Sequence, residues 1–554
     1  MSRSSPTHLF LTIGGLLLFL CVLFLLTHRN PPPAPPRVAA ATNAPTRPAL
    51  DSLDTSTDLA VTPAETEDTS EHEAVVAALA QKLATRLTHP GTRAHEAVLI
   101  FKNQDGYRRF LARATQSGVI IAGQIDALNI VRVRVRAYDA FAAELVARVA
   151  DYGGVSANTF VQIPPPPEER VMSRQFAVGN TLLATLGIPA GTDTSTWGRG
   201  VTLAVLDGGA GPDPTLGARL RYVDIGLGYA GTGVAGLHGT AVAALAAGSA
   251  PDAPGIAPAA SVISIRVINT DDKSDVFTVT QGIVAAVDAG AQIINLSLGG
   301  HSTSEALGRA IAYAGDRGAV IVAAAGNDGA GRLTWPAADP RVISVGATDA
   351  AGRQTDFSNS GAQLHLTAPG VAIQTAGLNN ERTLFSGTSA SAPVVTGAIA
   401  ALMSQTPGLT AAQAVTILQT YSDDGGAAGV DPDYGHGTLD LGWAMARADR
   451  TRTDTAVSGH HYNLETASLE VVLQNRGALP ANQLTLTIDL NGKTSTYAIT
   501  AMDAGRSVTV PLPIDAATAA GPIALSTRLD NPQGVIDVVP ANNTRASLID
   551  LAGR

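Results

Sequence analysis

Residues 201–209 read VTLAVLDGG. A near-continuous apolar run without polar alternation describes a strand buried on both faces. It stops abruptly at Asp207-Gly208-Gly209, a carboxylate followed by two residues that turn easily. From Gly198 onward the same character recurs. Residues 261–267 (SVISIRV), 292–298 (QIINLSL), 319–324 (AVIVAA) and 342–345 are further buried-strand candidates, and helical stretches are expected at 239–247, 280–289 and 304–317. Such alternation predicts an α/β fold, a doubly wound, mostly parallel sheet. Sites in such sheets lie at the carboxyl ends of the strands, and Asp207 and Asn327 both follow such an end.

Three polar motifs interrupt this region in order. Asp207 ends the first strand, His238 opens HGTAVAALAAG, and Ser389 sits in SGTSASAP ahead of a small-residue apolar run. Singly each has a bland reading: a carboxylate capping a loop, a helix N-terminal histidine, a serine N-cap. Together they supply a carboxylate to orient an imidazole and an imidazole to deprotonate a hydroxyl. Pro393 stands where a first helical turn accepts proline, and the N–H groups of that helix start favour negative charge developing nearby. His436-Gly437-Thr438 repeats the His-Gly-Thr tripeptide, but it follows the serine and precedes a closing strand, so it is not the expected base.

With their neighbours, Asp207, His238 and Ser389 resemble the subtilisin (subtilase, S8) family of serine proteases over about residues 178–448. Gly255-Ile256-Ala257-Pro258, Ser297-Leu298-Gly299-Gly300 and the AAAGN of 323–327 agree with that resemblance. It implies a serine endopeptidase with a catalytic triad of Asp207, His238 and Ser389, and Asn327 in the oxyanion hole beside the Ser389 N–H. Ser297, Leu298, Gly299 and Gly300 would pair with substrate backbone by β-augmentation. Leu298-Gly299-Gly300 and Ala324, Ala325 and Gly326 would line the primary specificity pocket, whose small apolar lining suggests apolar or aromatic side chains before the cut. Gly208 departs from the Ser or Thr usual after the catalytic Asp, and Leu237 from a common glycine. No cofactor or metal is expected, with calcium as the alternative. The loop of the usual strong calcium site is missing, and Asp252 alone is a poor substitute, since calcium takes about six to eight oxygens.

The flanks suggest further modules. Residues 74–163 read as helix, then β-α-β-β-α-β, the split βαβ or ferredoxin-like arrangement. In the resembling family that unit is an inhibitory propeptide, which would lay its last strand and tail in the substrate cleft. Cleavage is expected within 168–178, in an exposed processing linker at 164–177. The peptidase domain is placed at 178–449. Residues 450–554 alternate as short strands at 468–474, 483–490, 495–500, 507–512, 523–530 and 534–538, predicting an all-β immunoglobulin-like sandwich. Its NRGALPAN, DAGRSVTV and LDNPQGVIDVVPANN segments resemble a CARDB-type adhesion module, with a generic stability domain as the alternative.

Residues 9–27 form an uncharged 19-residue apolar stretch. As a helix it would span about 28 Å, near the thickness of a bilayer's hydrocarbon core. Residues 1–29 therefore read as a single membrane anchor, or alternatively a cleaved signal peptide. Residues 30–73, proline-rich and then acidic, read as a disordered tether. Either way the remainder is expected outside the cytoplasm, periplasmic or at the cell surface, or secreted if the N-terminus is removed. At 554 residues three or four domains are expected. A net charge of −10 gives no support to nucleic-acid binding, and the single Cys21 excludes both an internal disulfide and a cysteine metal site. Partners would be protein or peptide substrates, the chain's own propeptide and a surface bound by the C-terminal module. The competing reading is a catalytically silent, membrane-tethered binding protein.

Overall fold

The structure is a computed structural model describing residues 69–549, apart from 173–174, 230, 232, 270, 272, 464–465 and 515–521. The apolar stretch 9–27, Cys21 and the tether 30–73 as far as residue 68 lie outside the described residues, whereas residues 69–73, expected to be disordered, open the helix Thr69–Leu87, where Thr69 through Glu73 precede its apolar face. Among the described residues no helix is long and apolar enough to cross a membrane.

Nine strands form the central sheet, with Thr202–Asp207 between Ser261–Arg266 on one side and Ile293–Leu296 on the other. Beyond Ile293–Leu296 come Val320–Ala324, Ile343–Thr348 and Leu366–Pro369, all parallel, and only the Ser422–Asp423 edge is antiparallel. Period-two alternation splits one strand between two cores. Leu203 and Val205 pack with the helices Gly233–Ala247 and Thr388–Gln405, whereas Ala204 and Leu206 pack with Val276–Asp288 and Glu305–Asp316. A sheet covered on both faces needs near-continuous apolar strands, which is why 201–206 shows no polar alternation. Because its neighbours follow it on opposite sides, Thr202–Asp207 stands at the topological switch point, where such sheets open a crevice.

The helix expected at 239–247 starts at Gly233, so His238 lies in its second turn rather than at its opening. Glycines at 233, 236 and 239 hid that start, because glycine is a poor helix former by propensity. Leu366–Pro369 and the hairpin Ile373–Ala376/Arg382–Phe385 are additional strands that short, proline-ended or polar segments did not announce.

Upstream, Thr92–Phe101, Val119–Ile125, Ile130–Val135 and Tyr152–Val161 make an antiparallel sheet in the spatial order Tyr152–Val161, Thr92–Phe101, Ile130–Val135, Val119–Ile125. Leu99, Phe101, Phe110, Phe141 and Leu145 fill the core under its helices. Val98, Ile100, Ile130 and Val161 face the other way and share a core with Phe277, Leu307 and Ile311. Polar contacts complete that junction. The Asn158 side-chain oxygen accepts from the Phe277 N–H at 3.1 Å, at the start of Val276–Asp288. Arg93 ion-pairs with Asp275 at 3.1 Å, and the Arg132 guanidinium lies 4.7 Å from the Phe277 ring centre.

Downstream, two antiparallel sheets enclose a core of Leu469, Val471, Leu484, Leu486 and Ile523. The strand expected at 534–538 is a loop with Ile536 exposed. There the Asp537 carboxylate accepts from the Thr455 N–H at 2.9 Å and Asn531 Nδ2 at 3.1 Å, ties a ladder cannot make. Thr455–Asn463 and Thr544–Ile549 supply strands that were not expected. Buried Arg476 joins this region to the α/β unit through Asp423 at 2.8 Å and Asp440 at 3.5 Å.

Candidate active site

Asp207 is the last residue of its strand and is buried. Its Oδ1 accepts from the Gly208 N–H at 2.6 Å. His238 Nδ1 lies 2.9 Å from Asp207 Oδ1 and 3.0 Å from Oδ2, so the imidazole is held on the carboxylate by one ring nitrogen. That arrangement leaves Nε2 as the nitrogen available to accept a proton. The Phe385 ring meets the imidazole edge-on, centres 5.1 Å apart, and limits its rotation.

Ser389 is the second residue of Thr388–Gln405. Gly387, at φ 115°, makes the turn into that helix in a region L-residues avoid. Beneath the serine runs a chain of buried polar groups. Thr396 Oγ1 donates to Asn295 Oδ1 at 3.0 Å, Asn295 Nδ2 to Ser297 Oγ at 3.0 Å, and Ser297 Oγ to the Ser389 carbonyl at 3.0 Å. A fully satisfied buried network of this kind rigidifies what it supports. Asn327 follows Val320–Ala324, and its Oδ1 accepts from both Thr388 N and Thr388 Oγ1 at 2.9 Å. Its Nδ2 is thereby turned outward as a donor.

Strand Tyr152–Val161 brings its tail across this site. Gln162 and Gly299 exchange backbone hydrogen bonds of 3.0 and 2.9 Å, and Asn327 Nδ2 donates to the Pro165 carbonyl at 3.2 Å. Gly300 is paired on its other side with Trp335. Ser297 and Leu298 are buried, and so are Ala324, Ala325 and Gly326. The Ala325 N–H is committed to Val345 and its carbonyl to the Thr334 N–H. Of the expected backbone-pairing residues, Gly299 is the one engaged by the tail. The Ser389 hydroxyl donates to the Ser297 carbonyl at 3.3 Å, and among the described residues no hydrogen bond joins it to His238.

Asp252 is paired with Arg382 at 2.9 and 3.1 Å, and that guanidinium holds its carboxyl below the usual range. His436 is remote from the Asp207–His238 pair by its contacts: its N–H donates to His365 and its carbonyl accepts from Ser422. Phe385, Thr388 and the Asn295–Thr396 network were not singled out from the sequence. Phe385 and Thr388 lie within four residues of Ser389, a proximity that could have flagged them.

Gly208 has a steric explanation. A Cβ there would sit 2.0 Å from the Ala235 carbonyl oxygen, because the helix carrying His238 packs directly on the strand end. Gly208→Ser is therefore expected to destabilise by about 1–3 kcal/mol, as overpacking does, and to lower kcat by displacing His238. Denaturant unfolding alongside turnover checks this. Unchanged stability would mean the helix yields freely.

The family model described as "Subtilase family" matches residues 198–437. Subtilisin Savinase of Lederbergia lenta is 35% identical over 223 residues, covering 40% of this chain and 82% of that protein. The thermophilic serine proteinase of Bacillus sp. (strain AK1) is 39% identical over 171 residues, 30% of this chain and 43% of its own. Minor extracellular protease Epr of Bacillus subtilis (strain 168) is 31% identical over 245 residues, 44% of this chain and 38% of its own. On this likeness, spanning most of the Savinase chain, the protein belongs to the subtilase (S8) family of serine peptidases.

Proposed function

We propose that the protein is a serine endopeptidase made as a self-inhibited precursor. Ser389 Oγ attacks the scissile carbonyl, and His238 Nε2 takes its proton and returns it to the leaving nitrogen. Asp207 holds the imidazole tautomer and stabilises the imidazolium. Asn327 Nδ2 and the Ser389 N–H stabilise the oxyanion, and water then releases the acyl group. The observation that carries this reading is the pairing of His238 Nδ1 with both Asp207 oxygens, at the switch point of the sheet. Extended substrate would add to Gly299 as the tail does.

Residues 74–163, ferredoxin-like in their order, act in this reading as the propeptide, released by cleavage within 168–178. The peptidase domain is 178–449, and 450–554 is an immunoglobulin-like, CARDB-like module that binds a surface partner. Residues 1–29 anchor the protein, with the catalytic part extracytoplasmic. The silent-scaffold alternative gains nothing from the site, where each expected catalytic side chain is present.

A fluorophosphonate reagent tests the chemistry. After brief trypsin treatment to open the chain near Arg170 and removal of the trypsin, an adduct is expected on Ser389, and His238→Ala abolishes it. An adduct on another residue, or none, would leave the silent scaffold standing.

A further inference from the structure

The chain that crosses the cleft is proline at the point where chemistry would occur. Phe160 and Val161 pair antiparallel with Asp275 and Ser274, and Gln162 pairs with Gly299, so the tail lies extended along both segments. Three residues on, the Pro165 carbonyl meets Asn327 Nδ2. The bonds nearest that donor are Pro164–Pro165 and Pro165–Pro166. In each, the leaving nitrogen carries a ring carbon where an ordinary amide carries hydrogen. That carbon crowds the side from which an imidazolium must deliver its proton.

The missing N–H groups act on the nucleophile as well. Neither Pro164 nor Pro165 can donate to the Ser297 carbonyl, and that carbonyl instead accepts the Ser389 hydroxyl at 3.3 Å. The nucleophile's oxygen thus lies within hydrogen-bond reach of a backbone carbonyl, with no hydrogen bond to His238 among the described residues.

The next segment is held elsewhere. The Met172 N–H closes a helical turn on the Glu168 carbonyl at 3.0 Å. Phe176 N–H donates to Asp349 at 3.3 Å, and Val178 and Gly179 donate to Val371 and Ala372 at 2.9 Å. Delivering any bond of 168–178 to Ser389 of the same chain requires breaking the Gln162–Gly299 pair or these anchors.

We propose that the proline run 164–167 is a cleavage-resistant plug, one that Ser389 of the same chain does not cut although the run lies against its oxyanion donor. This rests on the protease reading above. In an ordinary sequence the same placement would allow Ser389 Oγ to acylate on the carbonyl of residue 165, breaking its C–N bond. The proton would pass by His238 to the nitrogen of residue 166, and water would hydrolyse the ester.

The test compares the full chain with Pro165→Ala/Pro166→Ala, each with and without Ser389→Ala, by intact mass and terminal sequencing. The wild type is expected to show no new end within 164–167. The double variant is expected to be cut there, provided Ser389 is present. Cleavage of the wild type within 164–167 would overturn the proposal. So would a double variant that stays whole while its Ser389 takes a fluorophosphonate adduct. If Ser389 takes no adduct in any trypsin-opened sample, the protease reading itself has failed, and the plug with it.

Discussion

Ser389→Ala is expected to lower kcat/KM on a chromogenic peptide by roughly 10⁶-fold, the order found when a triad nucleophile is removed. The opened wild-type and variant chains are compared side by side. The change deletes one oxygen whose one hydrogen bond among the described residues is a long one, to the Ser297 carbonyl. The Ser297–Asn295–Thr396 network grips the Ser389 carbonyl rather than its hydroxyl, so it survives the substitution. Unfolding midpoints should therefore nearly coincide. A loss below about tenfold would mean that this hydroxyl is not the nucleophile, whatever its neighbours suggest.

Asn327→Ala is expected to reduce kcat by about 10²–10³, with KM little changed, because in the proposed reaction its donor serves charge present only in the transition state. Alanine also deprives Thr388 N and Oγ1 of their acceptor, so a structural explanation must be separated. Asn327→Asp does this. It keeps the acceptor for Thr388 but offers no N–H and places negative charge beside the oxyanion. Turnover should remain at least as low as in the alanine variant. Recovery of activity with aspartate would assign Asn327 a positioning role through Thr388 instead.

The parallel sheet was legible because burial on both faces leaves an unmistakable pattern. The strands Leu203–Leu206 and Ile321–Ala324 carry apolar residues at consecutive positions, and Val262–Ile265 departs from this only at buried Ser264. The three polar motifs were legible for a related reason: Asp207 ends a buried strand, Ser389 stands at a helix start, and His238, in the second turn of its helix, precedes an Ala-rich run. Short elements escaped. Leu366–Pro369 has four residues and ends in proline, and its strand character comes from the neighbours it pairs with. Residues 534–538 read as a short strand, yet Asp537 draws the backbone into a loop by binding Thr455, 82 residues earlier, and the nearby Asn531.

By itself, then, the amino-acid order determined the α/β sheet and the residue types that the chemistry requires. Those depend on local periodicity and on which side chains tolerate burial. Only the tertiary structure decided that Gly208 is needed where Ala235 approaches, that Phe385 braces His238, and that Pro165 rests on Asn327. Each of these joins segments distant in the chain or distinguished only by side-chain direction, and packing, rather than propensity, sets which atoms meet.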